Sequence, residues 1–444
     1  MRPTPLIGTI VHRLESYFEF EQLGTNWRTE ILAGLTTFVT MAYIVFVNPS
    51  ILHEAGMPFK AVVAATCFCA AFGSILMGAF ARYPIALAPG MGLNAYFTYT
   101  VVKGMGVPWE TALGAVFLSG VAFLLLTLLG IRQLIFKAIP QELYAAVASG
   151  IGLFIAIIGL RNSGIIVASP ATLVTLGNLR DKNTLVAVAG LLIIAGLLAW
   201  NVKGAMLIGI LSTTLLAALC GLTHWAPETY RISDISATFG KLNIKAALKL
   251  GLLEIVFVFL FVDLFDNIGT LVGVGKKAGL FDNANQIPRI RRILLSDATS
   301  TIAGSLAGTS TVVSYIESAA GVVAGGRSGV TAIVTGLLFI TALFLAALVG
   351  AVPGAATAPA LIIVGSMMMS QVNEIRWNDP IVAIPAFLTL VTIPLTFSIA
   401  NGLAFGFTSY AILKLLKGQF RRDQWLVYVL AALFIARFVY LGKD

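Results

Sequence analysis

Two carboxylates, Asp263 and Asp266, stand three residues apart in the otherwise largely apolar run VFLFVDLFDNIGT, residues 258–270. At that spacing they share one helix face. A charge at membrane depth costs at least about 2.5 kcal/mol, so it persists where it meets a cavity, a partner or a substrate. Glu317 is the lone charge of a second such stretch, GTSTVVSYIESAAG, 308–321. Of the two aspartates, one could accept a substrate N–H while the other carries a coupling proton or orients the first. A carboxylate that accepts two parallel N–H bonds suits a flat ligand edge with adjacent donors. If an extended stretch at 309–313 gives way to a short helix, Glu317 falls in its first turn, where free N–H groups support an ionised acid. The matching feature upstream is APGMGLNA, 88–95. Its Gly90 and Gly92 let backbone approach a ligand, and Asn94 offers both a donor and an acceptor. Phe261 and Phe265, and Tyr96 with Phe97, could stack on a planar ring. Asp297, in Ser296-Asp297-Ala298-Thr299, is a supporting acid that could knit helices together. For each residue the plainer alternative is a packing contact, a helix cap or a helix break.

The elements that must hold these residues are apolar helices. The chain has 444 residues, 58% hydrophobic and 11% charged, with a mean hydropathy of +0.93. Soluble domains carry about 25% charged residues. The composition predicts an all-α polytopic membrane protein. Apolar segments run from 31–51 to 204–223 in a first set and from 250–274 to 399–416 in a second, giving seven and seven. The run 425–441 is left over and could be an extra span or an interfacial helix. Residues 1–29 form a polar lead-in, with an amphipathic helix expected around Ser16–Leu23 and no cleavable signal peptide.

The halves echo each other weakly. Ala138-Ile139-Pro140 and Ala351-Val352-Pro353 each precede a long apolar helix. The third and tenth segments are both short and interrupted, which in two repeats points to a transporter's binding site. An odd number of spans per repeat makes the repeats inverted. With the N-terminus inside, the inside loops hold about twice as many Lys and Arg residues as the outside loops, as the positive-inside rule expects.

Other chemistry is argued against. The net charge of +9 sits in short loops, so it marks topology and not a nucleic-acid surface. Cys67, Cys69 and Cys220 lie in apolar runs and read as packing residues, with neither a disulfide nor a metal site expected. His12, His53 and His224 fall in loops or termini, so no intramembrane proton relay rests on them. Gly275-Lys276 fails the phosphate-loop pattern at Thr270 and Lys277. Without a hydrolase motif, the chain is not expected to be an enzyme. Asn401 reads as a helix-boundary residue.

The phrases Ala-Gly-Leu-Thr-Thr-Phe (33–38), Asn48-Pro49, 88–95, Leu264-Phe265-Asp266-x-x-Gly269-Thr270-Leu271 and Ile316-Glu317-Ser318-x-x-Gly321-Val322 resemble the AzgA-like purine permeases. These are nucleobase–cation symporters, related to the uracil and xanthine permeases. The resemblance covers residues 28 to about 420. It implies fourteen membrane segments as a 7+7 inverted repeat, with the third and tenth beginning as short antiparallel strands. It implies a core domain at 30–130 and 250–350 and a gate domain at 131–223 and 351–418. The remainder is a cytoplasmic segment at 1–29, an extracytoplasmic connection at 224–249 and a tail at 419–444. It implies proton-driven uptake of adenine, guanine or hypoxanthine by an elevator-like movement, with H+ favoured over Na+ and no cofactor. The binding residues carry over as Asn94, Asp263 and Glu317, beside Gly92, with Asp266 in support. Partners would be a purine base, the bilayer and a second copy through the gate domain. A multi-pass position in a bacterial inner membrane follows. The competing reading is an anion transporter or exchanger of the related sulfate-permease fold.

Overall fold

The computed structural model describes residues 5–130, 139–223, 229–249, 253–278, 288–345, 350–420 and 424–440. Seven helical stretches are long and apolar enough to cross a membrane: Trp27–His53, Phe59–Ala81, Trp109–Leu128, Gln141–Asn162, Lys182–Ala199, Gly354–Glu374 and Ile399–Leu416. Shorter apolar helices occupy Ala205–Leu219, Gly329–Leu343, Pro380–Thr396 and Trp425–Val439. Their starts follow local chemistry. Asn26 accepts the Thr29 N–H at 3.0 Å, and Ser398 accepts the Asn401 N–H at 3.3 Å. Pro140 and Pro353, the matched prolines of the two halves, each sit at the N-cap of a long helix. Those two helices cross closely: a Cβ at Gly365 would lie 2.4 Å from the Gly152 carbonyl. Only a missing side chain permits that approach.

The first span is broken at Ala42 and Tyr43, between the helices Trp27–Met41 and Ile44–His53. The lead-in contains the helices Pro5–Tyr17 and Phe20–Leu23, which begins before the amphipathic helix expected at Ser16–Leu23. A hairpin that the sequence reading did not anticipate follows Asn162, with β2 at Ile166–Ser169 and β3 at Leu173–Leu176. Its β-branched residues favour strand pairing.

The two short, interrupted segments singled out in the sequence meet. Strand β1 (Leu87–Pro89) pairs antiparallel with β4 (Val312–Ser314), Ala88 opposite Val313. A two-stranded ribbon has two open edges, and away from water each edge needs partners. Ser74 Oγ accepts the Leu87 N–H at 2.9 Å and donates to the Leu87 carbonyl at 3.1 Å. Thr301 Oγ1 does the same for Val312, at 3.2 and 3.1 Å. Pro89 has no N–H to satisfy, and its carbonyl accepts the Tyr315 hydroxyl at 2.5 Å. The Ser314 N–H reaches Asn267 Oδ1 at 3.1 Å.

Glu30, wholly buried, binds the turn before the Gly329–Leu345 helix. It accepts the N–H groups of Arg327 and Ser328 at 3.0 and 3.1 Å and the Thr331 hydroxyl at 2.6 Å. The left-over C-terminal run is the helix Trp425–Tyr440. Its Phe434 packs against Phe257 and Phe407, and Arg437 pairs with Glu254 at 2.6 Å.

Candidate substrate-binding cavity

A cavity of about 560 Å³ opens beside the ribbon. This is within the range of small-molecule sites. One wall comes from the broken elements: Tyr43, Gly90–Gly92, Phe265, Asp266 and Val313–Glu317. The facing wall comes from Ala148, the Leu198–Met206 turn region and Met367–Gln371. Glu317 is therefore presented where a strand passes into a short helix, irregular backbone that borders a cavity, and Asp266 by the middle of a long helix.

Glu317 precedes the short Ser318–Val323 helix and is partly exposed to the cavity. Its Oε1 accepts the Tyr43 hydroxyl at 2.6 Å. Asp266, also partly exposed, lies on the Leu253–Ala278 helix in the same lining. Gly92 is part of this wall, and a Cβ there would lie 3.9 Å from Asp266 Oδ2. Phe265 lines the cavity as well, held edge-to-face by Tyr144 at 4.9 Å. The structure thus brings Gly92, Phe265, Asp266 and Glu317 together.

The remaining sequence-selected residues stand behind the lining. Asp263 is wholly buried, and Asn267 Nδ2 donates to its Oδ1 at 2.9 Å. The same Asn267 holds Ser314, so Asp263 braces the ribbon from behind. Asn94 is buried, with its Nδ2 donating to Asn48 Oδ1 at 2.5 Å and its Oδ1 accepting the Ser310 hydroxyl. Asp297 is buried close enough to Asp266 for their charges to interact. Phe261 packs on Phe257 and Phe265, while Tyr96 and Phe97 pack around Phe259. Asn401 accepts from Arg437 at 3.2 Å. Among the described residues no group of three His, Cys, Asp or Glu side chains could hold a metal ion.

Tyr43 was not singled out in the sequence, because an aromatic in an apolar run reads as packing. The signal it did carry is a hydroxyl within reach of a chain break.

Away from the cavity, beyond the far end of the Gln141–Asn162 helix, lies a polar cluster. Glu54 accepts the Tyr99 hydroxyl at 2.8 Å and Asn162 Nδ2 at 3.2 Å, and pairs with Lys103. Arg161 stacks over the Tyr99 ring at 5.3 Å, and the Thr100 hydroxyl donates to the Phe397 carbonyl at 2.6 Å.

Broken apolar helices around an acid-lined cavity define a multi-pass membrane transporter. A family profile described as Permease family (Xan_ur_permease) matches residues 28–405. The chain belongs to this permease family, as its motifs led us to expect, and not to an enzyme family. It is 54% identical to the putative permease MJ0326 of Methanocaldococcus jannaschii, over 98% of this chain and all of that one. It is 46% identical to the adenine permease AdeP of Escherichia coli, over 96% of each chain. It is 45% identical to the guanine/hypoxanthine permease PbuO of Bacillus subtilis, over 94% of this chain and 98% of the relative. Among solved structures, the transmembrane domain of the cyanobacterial bicarbonate transporter BicA shares the fold. Its TM-score is 0.66 at 16% identity, over 84% of this chain and 97% of that one.

Proposed function

We propose that the chain takes up purine nucleobases (adenine, guanine or hypoxanthine) across a cell membrane in symport with protons. The observation that carries this reading is the pair of carboxylates, Asp266 and Glu317, on one cavity wall beside Phe265. Purines offer N–H donors along a flat edge, and ionised carboxylates are pure acceptors. The aromatic ring beside them suits a planar base. Relatives whose names specify adenine or guanine/hypoxanthine are about equally similar, which supports the class and leaves the individual base to experiment.

A proton on one acid would lower the cost of moving the loaded site through the bilayer. Asp266 is the better placed of the two aspartates for that role, since it borders the cavity and feels Asp297. In this reading fourteen segments form two inverted repeats. The matched latches Ser74–Leu87 and Thr301–Val312, and the matched caps Pro140 and Pro353, support the repeat. The core part carries the ribbon and both acids, and the gate part supplies the facing wall. Movement of one against the other gives elevator-like alternating access. The N-terminus lies inside, the membrane is a bacterial inner membrane, and a homodimer forms through the gate part.

The fold shared with a bicarbonate transporter keeps an anion carrier as the competing reading. An anion in this cavity would face Asp266 and Glu317, which disfavours it. The deciding experiment is uptake of radiolabelled adenine, guanine, hypoxanthine, xanthine and uracil in cells lacking their own permeases, at two external pH values, with and without a protonophore. Purine uptake that rises at acid pH and collapses with the protonophore is expected. Dependence on Na+ alone would overturn the coupling. Transport of bicarbonate or sulfate with no uptake of any base would overturn the reading itself. Glu317→Gln should abolish uptake while the protein still accumulates in the membrane.

A further inference from the structure

Tyr43 stands in the two-residue break of the first span, with only 1% of its surface exposed. A buried phenol needs a partner for its hydroxyl. Here the partner is Glu317, and the bond joins residues 274 positions apart. Among the described residues no other side chain hydrogen-bonds Glu317. An ionised carboxylate has about four acceptor positions, so the bonds from Tyr43 and from its own backbone still leave acceptor positions open. The Tyr43 bond also stops the carboxylate from rotating freely about its last torsion, which is otherwise soft. We propose that Tyr43 is a positioning residue for substrate binding, holding Glu317 so that its open acceptor positions are presented to a planar base. This rests on the purine reading above.

Tyr43→Phe keeps every ring carbon and removes only the donor. Losing a hydrogen bond to a charged group weakens binding about tenfold. The expected result is a KM for the transported base raised about tenfold, with Vmax unchanged. Equilibrium binding of the base to the purified variant should fall by the same factor. A KM and an affinity that both stay at the wild-type value overturn the positioning role, whatever happens to stability. Wild-type protein that takes up no purine overturns the purine reading and this role with it. Wild-type uptake with an unchanged Tyr43→Phe KM overturns the role alone.

The polar cluster at the other end of the cavity's walls carries a second, independent inference. Ala148 lines the cavity, and Asn162 lies about 21 Å further along the same helix. The cluster ties Glu54, Tyr99, Thr100 and Lys103 on the ribbon side to Arg161, Asn162 and Phe397 on the facing side. Glu54 is its hub, bonded to three partners. At the Leu198–Met206 end the two sides meet by packing, with Gly204 close against Val39 and Tyr144 edge-on to Phe265. We infer that this cluster seals the site from the face that bears Lys103 and Arg161, and that it must open for access from that face. The inference rests on alternating access and not on the identity of the cargo.

Val364 also lines the cavity, and the test places Val364→Cys there, in a Cys220→Ser background. A membrane-impermeant maleimide is then applied from each face, using right-side-out and inside-out vesicles. In the otherwise wild-type chain, labelling should come from one face only. Adding Glu54→Ala, or the isosteric Glu54→Gln, should raise labelling from the opposite face about fivefold or more. An unchanged ratio between the faces in either variant overturns the seal. Because no purine enters the assay, its failure is separate from failure of the substrate reading.

Discussion

Ser74 and Thr301 hold opposite edges of one ribbon: each hydroxyl bonds both the N–H and the carbonyl of a single strand residue, Leu87 and Val312 respectively. The ribbon is only three residues long on each side, so these two side chains replace the strands that a wider sheet would supply. Ser74→Ala and Thr301→Ala each leave a buried N–H and carbonyl unpaired. The expected cost is about 1–3 kcal/mol per group. Both variants should melt earlier in detergent, and the double variant should fall by nearly the sum, because the edges are separate. Equal midpoints for wild type and the double variant would show that water or backbone shifts replace the latches.

The two aspartates of the Leu253–Ala278 helix should part company on mutation. Asp266→Asn should leave the thermal midpoint unchanged and remove the dependence of uptake on the proton gradient, or abolish uptake. Asp263→Ala should lower the midpoint, costing about 1–3 kcal/mol of stability, because Asn267 keeps only the Asp263 carbonyl of its two acceptors and the brace on Ser314 slackens. Melting curves and protonophore-sensitive uptake, measured side by side, decide it. Matching behaviour of the two variants would contradict the division of labour.

Gly92 tests the cavity wall sterically. A Cβ at this position would meet Ile151 Cγ2 at 2.5 Å. Gly92→Ala should therefore reduce uptake at least about tenfold by pushing the facing helix away from the site. Ile151→Ala, introduced with it, should restore much of the loss. Failure of the second change to rescue the first would place the effect on the ligand and not on the Ile151 contact.

Glu30 predicts a purely structural loss. Glu30→Ala leaves the N–H groups of Arg327 and Ser328 and the hydroxyl of Thr331 without their acceptor. The protein should accumulate poorly, and what accumulates should show a near-normal KM. A raised KM at normal abundance would instead tie this end of the Gly329–Leu345 helix to the site.

Much of the arrangement was legible in the sequence because its cause is local. Intramembrane acids, paired broken segments and matched prolines all leave marks in composition, and the third and tenth segments do form the expected strand pair. Other features depend on where a helix turns. Three residues advance a helix by 300°, so Asp263 and Asp266 stand about 60° apart around the axis. That angle lets one border the cavity while the other faces Asn267, and no spacing rule says which. Asn94 was selected for its donor and acceptor. Both are engaged by Asn48 and Ser310, which lie far away in the chain. Glu30 resembled an ordinary acid in a first helical turn, since its partners come three hundred positions later. Tyr43 and the Glu54 cluster were hidden for the same reason.

The bond between Glu254 and Arg437 has a consequence for biogenesis. Glu254 stands in the first turn of the helix that carries both aspartates, and its counter-ion sits in the Trp425–Tyr440 helix, which also places Phe434 against Phe257. During synthesis that arginine emerges well over a hundred residues after Glu254. Until then Glu254 waits in apolar surroundings without its ion-pair partner, an unfavourable state for a carboxylate. Insertion of the Trp425–Tyr440 helix is therefore the step that gives the helix beneath the site its ion pair.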